Sequence, residues 1–209
     1  NTLVIFTSDN GSNGRNGGSN RPLSGAKGST MEGGMRVPMI ARWPGRIPVG
    51  STCRELGTMM DLLPTFCALT GASLPSQTLD GFDISEMLFG KGDAKSQYEA
   101  LYYYRRRQLQ AIRYGDWKYH LPLKATHPNW TTAKQAGPGR SGKLVNLKSD
   151  LQEKTDLTAA NPEVIKRMGE LLKTAVMTLG NDDIIGSEQR DARTLDSSKP
   201  LTLKELLKP

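Results

Sequence analysis

The hydrophobic residues of the first hundred positions predict two strands followed by a helix. Leu3–Phe6 is a continuous apolar run, which is typical of a strand buried on both faces in a parallel sheet. A second strand is predicted over residues 37–42, and residues 8–34 between them form a long Gly-, Asn- and Ser-rich loop of the kind that usually carries function. The spacing of apolar residues predicts a helix over residues 62–69, with Asp61 as its N-cap.

The second half of the chain has a different pattern, in which short β-prone runs are separated by turn residues. These runs lie at residues 100–104, 108–114, 117–121 and 143–147. They predict a small antiparallel sheet. Asn161 and Pro162 then provide a cap and a first helical residue for an amphipathic helix that ends at Gly180.

These patterns divide the chain into three parts. Residues 1–97 are predicted to belong to an α/β core, and residues 98–185 to a subdomain built from the antiparallel sheet and the final helix. From residue 186 onward the sequence is polar and is predicted to be a tail.

Charge and cysteine content narrow the classes of partner. The chain has 28 Lys and Arg against 21 Asp and Glu, a net charge of +7 that suits an anionic partner. Arg105–Arg107 is the one dense basic cluster, without a nucleic-acid-binding signature, and no apolar run approaches the roughly 20 residues of a membrane span. Cys67 lies in an apolar helical stretch and Cys53 in a polar loop; a disulfide between them is left open.

Asp9 and Asn10 are the first candidates for chemistry, because they follow the apolar strand directly. In open α/β sheets ligands bind at the carboxyl ends of strands. Carboxylate and amide oxygens are the hard donors that Ca²⁺ and Mg²⁺ prefer. The alternative is an ordinary turn, since Asp-Asn and Asn-Gly are good turn formers.

Three ordered motifs extend this observation. Thr7–Gly11 reads Thr-Ser-Asp-Asn-Gly, Lys27–Pro38 reads Lys-Gly-Ser-Thr-Met-Glu-Gly-Gly-Met-Arg-Val-Pro, and Trp43–Gly45 reads Trp-Pro-Gly. In these motifs the chain resembles the sulfatase family, specifically the branch with arylsulfatase A and N-acetylgalactosamine-6-sulfatase. The resemblance runs from residue 2 to about residue 180. It implies the C-terminal part of an alkaline-phosphatase-like α/β fold.

The resemblance also implies roles for individual residues. Asp9 and Asn10 would be two ligands of a Ca²⁺ ion whose other ligands lie upstream. Lys27 would contact a sulfate oxygen, as both a catalytic and a substrate-binding residue. His120 would lie near the substrate, with a partly buried strand histidine as the equal alternative. Arg105 would rim the site and bind the substrate, unless it belongs to a solvated charge run.

Other residues of the motifs are predicted to be structural. Glu32 and Arg36 are four residues apart and are expected to form an ion pair or brace the loop. Gly33 and Gly34 are expected to adopt backbone angles closed to other residues.

The family's nucleophile is a formylglycine made from the first residue of a Cys-x-Pro-x-Arg element or its Ser counterpart. Neither Cys53 nor Cys67 heads such an element. The resemblance therefore places the nucleophile upstream and predicts that this chain alone is inactive. The apolar strand at residues 3–6 would then lack its neighbours. The chain is expected either to self-associate through this strand or to hold its N-terminal region loosely while the C-terminal sheet and helix stay folded.

The expected partner is a sulfated sugar or an aryl sulfate. Neither a nucleic-acid partner nor a membrane-spanning segment is expected. The resemblance implies a periplasmic, secreted or lysosomal protein. Two alternatives stay open: a non-catalytic module that binds Ca²⁺ or a sulfated glycan, and another alkaline-phosphatase-superfamily hydrolase acting on phosphoesters or phosphonates.

Overall fold

The computed structural model describes residues 1–15, 17–128 and 136–190, and the strands of these residues form three antiparallel sheets. The strands are β1 Val4–Thr7, β2 Met39–Arg42, β3 Leu101–Arg105, β4 Gln108–Tyr114, β5 Trp117–His120, β6 Leu123–Thr126, β7 Gly137–Arg140 and β8 Lys143–Asn146. The α-helices are α1 Glu32–Met35, α2 Leu62–Thr70, α3 Ser85–Leu88 and α4 Pro162–Leu179. Most of the predicted polar tail lies outside the described residues.

The first sheet contains only β1 and β2, which pair antiparallel. The prediction that Leu3–Phe6 is buried on both faces of a parallel sheet is wrong for this chain. Val4 is 51% exposed and Phe6 is 66% exposed, and Ile40, which lies opposite Phe6, is 62% exposed. Two strands alone cannot cover both of their faces, so these apolar side chains remain open to solvent.

The helix predicted over residues 62–69 is present as α2, but Asp61 does not cap it. A 3₁₀ helix, Met59–Asp61, precedes α2, and Thr58 forms a capping box with Asp61 at its start. The Asp61 carboxylate also accepts hydrogen bonds from the Phe82 amide at 2.9 Å and the Tyr98 hydroxyl. Asp61 therefore holds the segment around residues 80–98 against α2.

The second sheet is the small antiparallel sheet that the sequence predicted, and its four strands lie in the order β3-β4-β5-β8. Its registers place Tyr102, Ile112, Tyr119 and Leu144 side by side on one face. This face packs against α4, where Ile112 and Leu144 form a core cluster with Met168 and Leu171. The opposite face carries Tyr103, Lys118 and His120.

Helix α4 begins at Pro162, but the predicted Asn161 cap is not formed. The Asn161 side chain instead donates to the Leu157 carbonyl oxygen at 2.9 Å. The helix ends at Gly180, whose φ of 84° is open to glycine at little cost. Among the described residues, no helix is both long enough and apolar enough to cross a bilayer.

The hairpin of β6 and β7 was not predicted from the sequence. Gly137, Pro138 and Gly139 are unusual strand residues. A Cβ at Gly139 would lie 2.4 Å from the Lys124 carbonyl oxygen, so the two strands approach too closely for a side chain there. Only glycine fits where the two backbones approach so closely. Because glycine is rare in strands, the sequence of β7 does not predict a strand.

Candidate functional site

The long loop after β1 folds back on itself and brings the backbone of Lys27 to Ser12, two residues after Asn10. The Lys27 amide donates to the Ser12 carbonyl oxygen at 3.0 Å, and the Asn20 side chain makes two hydrogen bonds of 2.7 Å with the Ser12 backbone. Asp9 and Lys27 are both exposed, and Asn10 is half-buried. The backbone thus ties the predicted sulfate contact to the segment that follows the predicted metal ligands.

Glycines allow this loop to pack tightly on α1. The Gly11 amide donates to the Gly34 carbonyl oxygen at 3.1 Å. A Cβ at Gly11 would lie 1.8 Å from the Gly33 carbonyl oxygen, and one at Gly34 would lie 2.3 Å from the Ser29 carbonyl oxygen. Gly33 and Gly34 have helical backbones without positive φ, so they are required for space and not for the unusual angles predicted for them.

The predicted ion pair between Glu32 and Arg36 is not formed by their side chains. Arg36 is exposed, whereas Glu32 is 1% exposed and its Oε1 accepts from Lys118 Nζ at 2.9 Å and from the Tyr103 hydroxyl at 3.0 Å. Lys118 Nζ also donates to the Thr30 carbonyl oxygen at 2.8 Å. Glu32 therefore braces the loop against β3 and β5, through residues that local spacing did not suggest.

Glu153 completes this buried polar cluster from the loop after β8. Its Oε2 accepts from the Glu32 amide at 2.7 Å, and its Oε1 lies 3.0 Å from Lys118 Nζ and 2.8 Å from His120 Nε2. Burial favours the protonated acid, but the hydrogen bond from His120 and the charge of Lys118 outweigh it and lower the pKa of Glu153 to about 2. Glu153 is therefore a carboxylate at neutral pH.

His120 lies at the end of β5 and is 2% exposed. Burial lowers the pKa of its imidazole, although the hydrogen bond with Glu153 opposes this effect. Its Nδ1 atom is buried and has no hydrogen-bond partner among the described residues. The side chain also lines a cavity of about 290 Å³ that it shares with Met31, Arg140, Ser141, Gly142, Lys143 and Asp156.

Arg105 lies at the end of β3, and the structure describes no contact between it and this cluster. Arg106 and Arg107 form the turn that follows, and the Arg107 carbonyl oxygen accepts from the Asp182 amide at 2.8 Å. Burial, and then the neighbouring charge of Arg106, lower the pKa of Arg105. Substrate binding by Arg105 stays a prediction.

The cluster brings together residues that sequence reasoning treated separately or missed. Glu32 and His120 were singled out, whereas Lys118, Glu153 and Tyr103 were not. Lys118 did carry a signal, because it precedes His120 by two residues and such residues share one face of a strand. Glu153 carried none, since its position in a loop and its φ of 55° are not visible in the sequence.

The metal ligands proposed in this chain are few. No group of three or more His, Cys, Asp or Glu side chains suited to a metal occurs among the described residues. Asp9 and Asn10 offer two oxygen donors of the type that Ca²⁺ prefers, whereas Ca²⁺ takes about six to eight. The residues present thus fit part of a coordination shell.

Both cysteines are free thiols, with Cys53 exposed and Cys67 buried, so the disulfide left open by the sequence is not formed.

Comparison with known proteins gives matches to two family models. Residues 1–72 match the model described as Sulfatase, and residues 96–189 match the model described as the C-terminal region of aryl-sulfatase. The first match contains the Asp9–Asn10 motif and the Lys27 loop. The second contains the four-stranded sheet, Glu153 and α4.

Individual relatives agree with these models. The chain is 38% identical to human arylsulfatase A over 211 residues, covering 90% of this chain and 41% of that protein. It is 43% identical to dog N-acetylgalactosamine-6-sulfatase over 126 residues, covering 58% of this chain and 24% of that protein. The chain thus spans less than half the length of these curated relatives.

The fold agrees as well. The crystal structure of a sulfatase from Pseudoalteromonas sp. matches with a TM-score of 0.67 at 31% identity, covering 87% of this chain and 39% of that chain. This match confirms the predicted fold class, with its small antiparallel sheet and helix. The chain belongs to the sulfatase family, and residues 96–189 are its aryl-sulfatase C-terminal region.

Proposed function

We propose that this chain supplies the cation-binding and sulfate-binding half of an active site that hydrolyses sulfate esters. The observation that carries the proposal is the hydrogen bond from the Lys27 amide to the Ser12 carbonyl oxygen, which holds the lysine beside the segment that follows Asp9 and Asn10. An ester sulfate carries a negative charge, so a site for it needs cationic groups gathered in one place. A lysine on a flexible stem and a bound cation meet that need.

Asp9 and Asn10 are proposed as two ligands of a Ca²⁺ ion, with the remaining ligands outside the described residues. Their side chains leave the carboxyl end of β1, and the exposed position of Asp9 keeps its carboxylate available. The ion would offset charge on the sulfate and lower the pKa of the nucleophile. With two ligands, the chain alone is expected to bind Ca²⁺ weakly.

Lys27 is proposed to contact a sulfate oxygen, and His120 to lie near the substrate. Residues 24–34 carry both Lys27 and Glu32. The backbone amide of Glu32 contacts Glu153, and its carboxylate contacts Lys118. The buried polar cluster thus fixes the position of the Lys27 loop relative to β5 and His120.

The proposed substrate is a sulfated sugar or an aryl sulfate. The names of the relatives support both substrate classes, since one is named an arylsulfatase and another an N-acetylgalactosamine-6-sulfatase. The net charge of +7 favours an anionic substrate without distinguishing the two.

The proposed nucleophile is a formylglycine outside this chain. Neither cysteine lies in a Cys-x-Pro-x-Arg element, and Cys67 is buried in α2. We therefore expect the purified 209-residue chain to hydrolyse no nitrocatechol sulfate above a buffer control. Turnover by the purified chain would contradict this expectation.

A second test concerns the gene. The proposal predicts a Cys-x-Pro-x-Arg or Ser-x-Pro-x-Arg element encoded upstream of Asn1, together with further acidic ligands for the cation. An upstream sequence without any such element would contradict hydrolysis by a formylglycine. It would favour the non-catalytic module that binds Ca²⁺ or a sulfated glycan.

A further inference from the structure

The two ring nitrogens of His120 lie in different surroundings, and this difference has a chemical consequence. Nε2 lies 2.8 Å from Glu153 Oε1, whereas Nδ1 is buried without a partner among the described residues. We propose that Glu153 is a positioning residue that holds His120 as the Nε2–H tautomer, so that Nδ1 accepts a hydrogen bond from a hydroxyl group of the substrate. The substrate part of this inference rests on the proposed function; the tautomer does not.

The position of the proton follows from the contacts of Glu153. Its Oε2 accepts from the Glu32 amide and its Oε1 lies 3.0 Å from the Lys118 ammonium group, whose positive charge favours the ionised carboxylate. A carboxylate has no proton to donate. The hydrogen of the 2.8 Å contact must therefore come from Nε2 of His120.

The charges around His120 decide whether Nδ1 carries a second proton. Lys118 and Arg140 are both cationic and disfavour an imidazolium, and Lys143 lines the same cavity. The acidic groups are Glu153, which already receives the Nε2 hydrogen, and Asp156 in the cavity wall. A proton on Nδ1 would also be buried without an acceptor, which costs free energy. Nδ1 therefore carries a lone pair.

An unprotonated Nδ1 determines which kind of group His120 can bind from the cavity that its side chain lines. Only a hydrogen-bond donor satisfies a lone pair, and a sulfate group has none to offer. A hydroxyl group does, either on a sugar ring or on a water molecule, and the cavity of about 290 Å³ has room for either. His120 is thus an acceptor toward substrate hydroxyls, and it is not the proton donor for the leaving alcohol.

The tautomer can be measured directly by long-range ¹H–¹⁵N NMR spectra of the 209-residue chain at pH 7. We expect Nε2 to be protonated and Nδ1 to be unprotonated. The Glu153→Gln variant should lose this preference, because an amide can donate to Nε2 as well as accept from it. The Glu163→Gln variant, in which an exposed helix carboxylate is changed, should keep it.

The wild-type spectra test the proposed His120 tautomer even if Glu153→Gln fails to fold. An Nδ1–H tautomer or an imidazolium at pH 7 would overturn the proposal. A change of tautomer in Glu153→Gln, with near-native amide spectra elsewhere, supports positioning by Glu153. An unchanged tautomer in that folded variant would overturn it.

A second measurement separates a sugar hydroxyl from a buried water. N-acetylgalactosamine 6-sulfate is added until the Lys27 amide resonance stops shifting, and the Nδ1 resonance is then compared with that of the free chain. A shift of the Nδ1 resonance supports a substrate hydroxyl, and no shift overturns the substrate contact. An unresponsive Lys27 amide would count against the proposed function, while the tautomer measurement would still stand.

Discussion

Lys118 and Glu32 form an ion pair in the interior of the protein, with 2.9 Å between Nζ and Oε1 and side chains that are 0% and 1% exposed. The two residues are separated by 86 positions in the sequence. The pair joins the loop that carries Lys27 to β5, which carries His120. Lys118 Nζ also lies 4.2 Å from the centre of the Tyr103 ring, so every side of the ammonium group is occupied.

Removing the charge of Lys118 should destabilise the fold strongly. The Lys118→Met variant keeps most of the side-chain volume but leaves the carboxylates of Glu32 and Glu153 buried without a counter-ion. Breaking a buried pair in this way costs about 3–5 kcal/mol. Urea unfolding should show this loss as a lower free energy of unfolding.

The matched control is Lys91→Met, which removes an exposed pair with Glu86. A fully exposed pair of this kind contributes little to stability, because solvent and salt screen it. Equal stabilities for the two variants would contradict the role assigned to Lys118.

The stability of the chain should fall as the pH is lowered. The pKa of Glu153 is lowered from 4.5 to about 2 in the folded protein, so its contribution is complete above pH 4.5 and is lost as the pH falls toward 2. A shift of this size corresponds to about 3 kcal/mol. The lowered pKa of His120 acts in the same direction, because below pH 6.5 the unfolded chain binds a proton that the folded chain resists.

Urea midpoints measured between pH 7 and pH 2 test this dependence. The Glu153→Gln variant should lose much of the decrease below pH 4.5, whereas Glu163→Gln should retain it. A wild-type free energy of unfolding that stays constant from pH 6.5 to pH 3 would show that these groups are not perturbed as described.

The sequence predicted the elements whose residues signal them locally. The antiparallel sheet and α4 could be predicted because their apolar residues recur at the spacing of a strand or a helix. These residues, such as Ile112 and Met168, then pack against each other in the core. The fold class followed from motifs that hold a fixed order along the chain. These features depend on neighbours in the sequence or on the motifs themselves.

The features that could not be predicted depend on contacts between distant residues. Glu32 has Arg36 four residues away, yet it pairs with Lys118, because burial beside β5 offers contacts that an exposed arginine cannot. Asp61 looks like a helix cap, but its carboxylate is engaged by Tyr98 and Phe82. In both cases tertiary partners displace the local interaction that the sequence suggests.

The exposed face of the β1–β2 sheet should cause self-association. Phe6 and Ile40 lie opposite each other and are 66% and 62% exposed, and burial is worth roughly 1.5–3 kcal/mol for each such side chain. Sedimentation should therefore show an apparent mass that rises with concentration. The double variant Phe6→Ser/Ile40→Thr should reduce this rise, and Val49→Ser, at an exposed loop position, should not.

Hydrogen exchange at residues 2–7 complements this experiment. Amides in a loosely held or associating strand should exchange quickly in dilute solution. A monomer at all concentrations with strongly protected amides in this segment would contradict the prediction. It would mean that β1 is stable without further cover.

The central claim is that Lys27 contacts the sulfate group of the substrate, and its most direct test is the effect of Lys27→Ala on catalysis by the full-length gene product. The loss of one group that stabilises developing charge typically lowers kcat by about 10²–10³. We therefore expect kcat/KM for nitrocatechol sulfate to fall by about 10² or more in Lys27→Ala, and to be unchanged in the surface control Lys91→Ala. A Lys27→Ala enzyme with wild-type kcat/KM would contradict the claim.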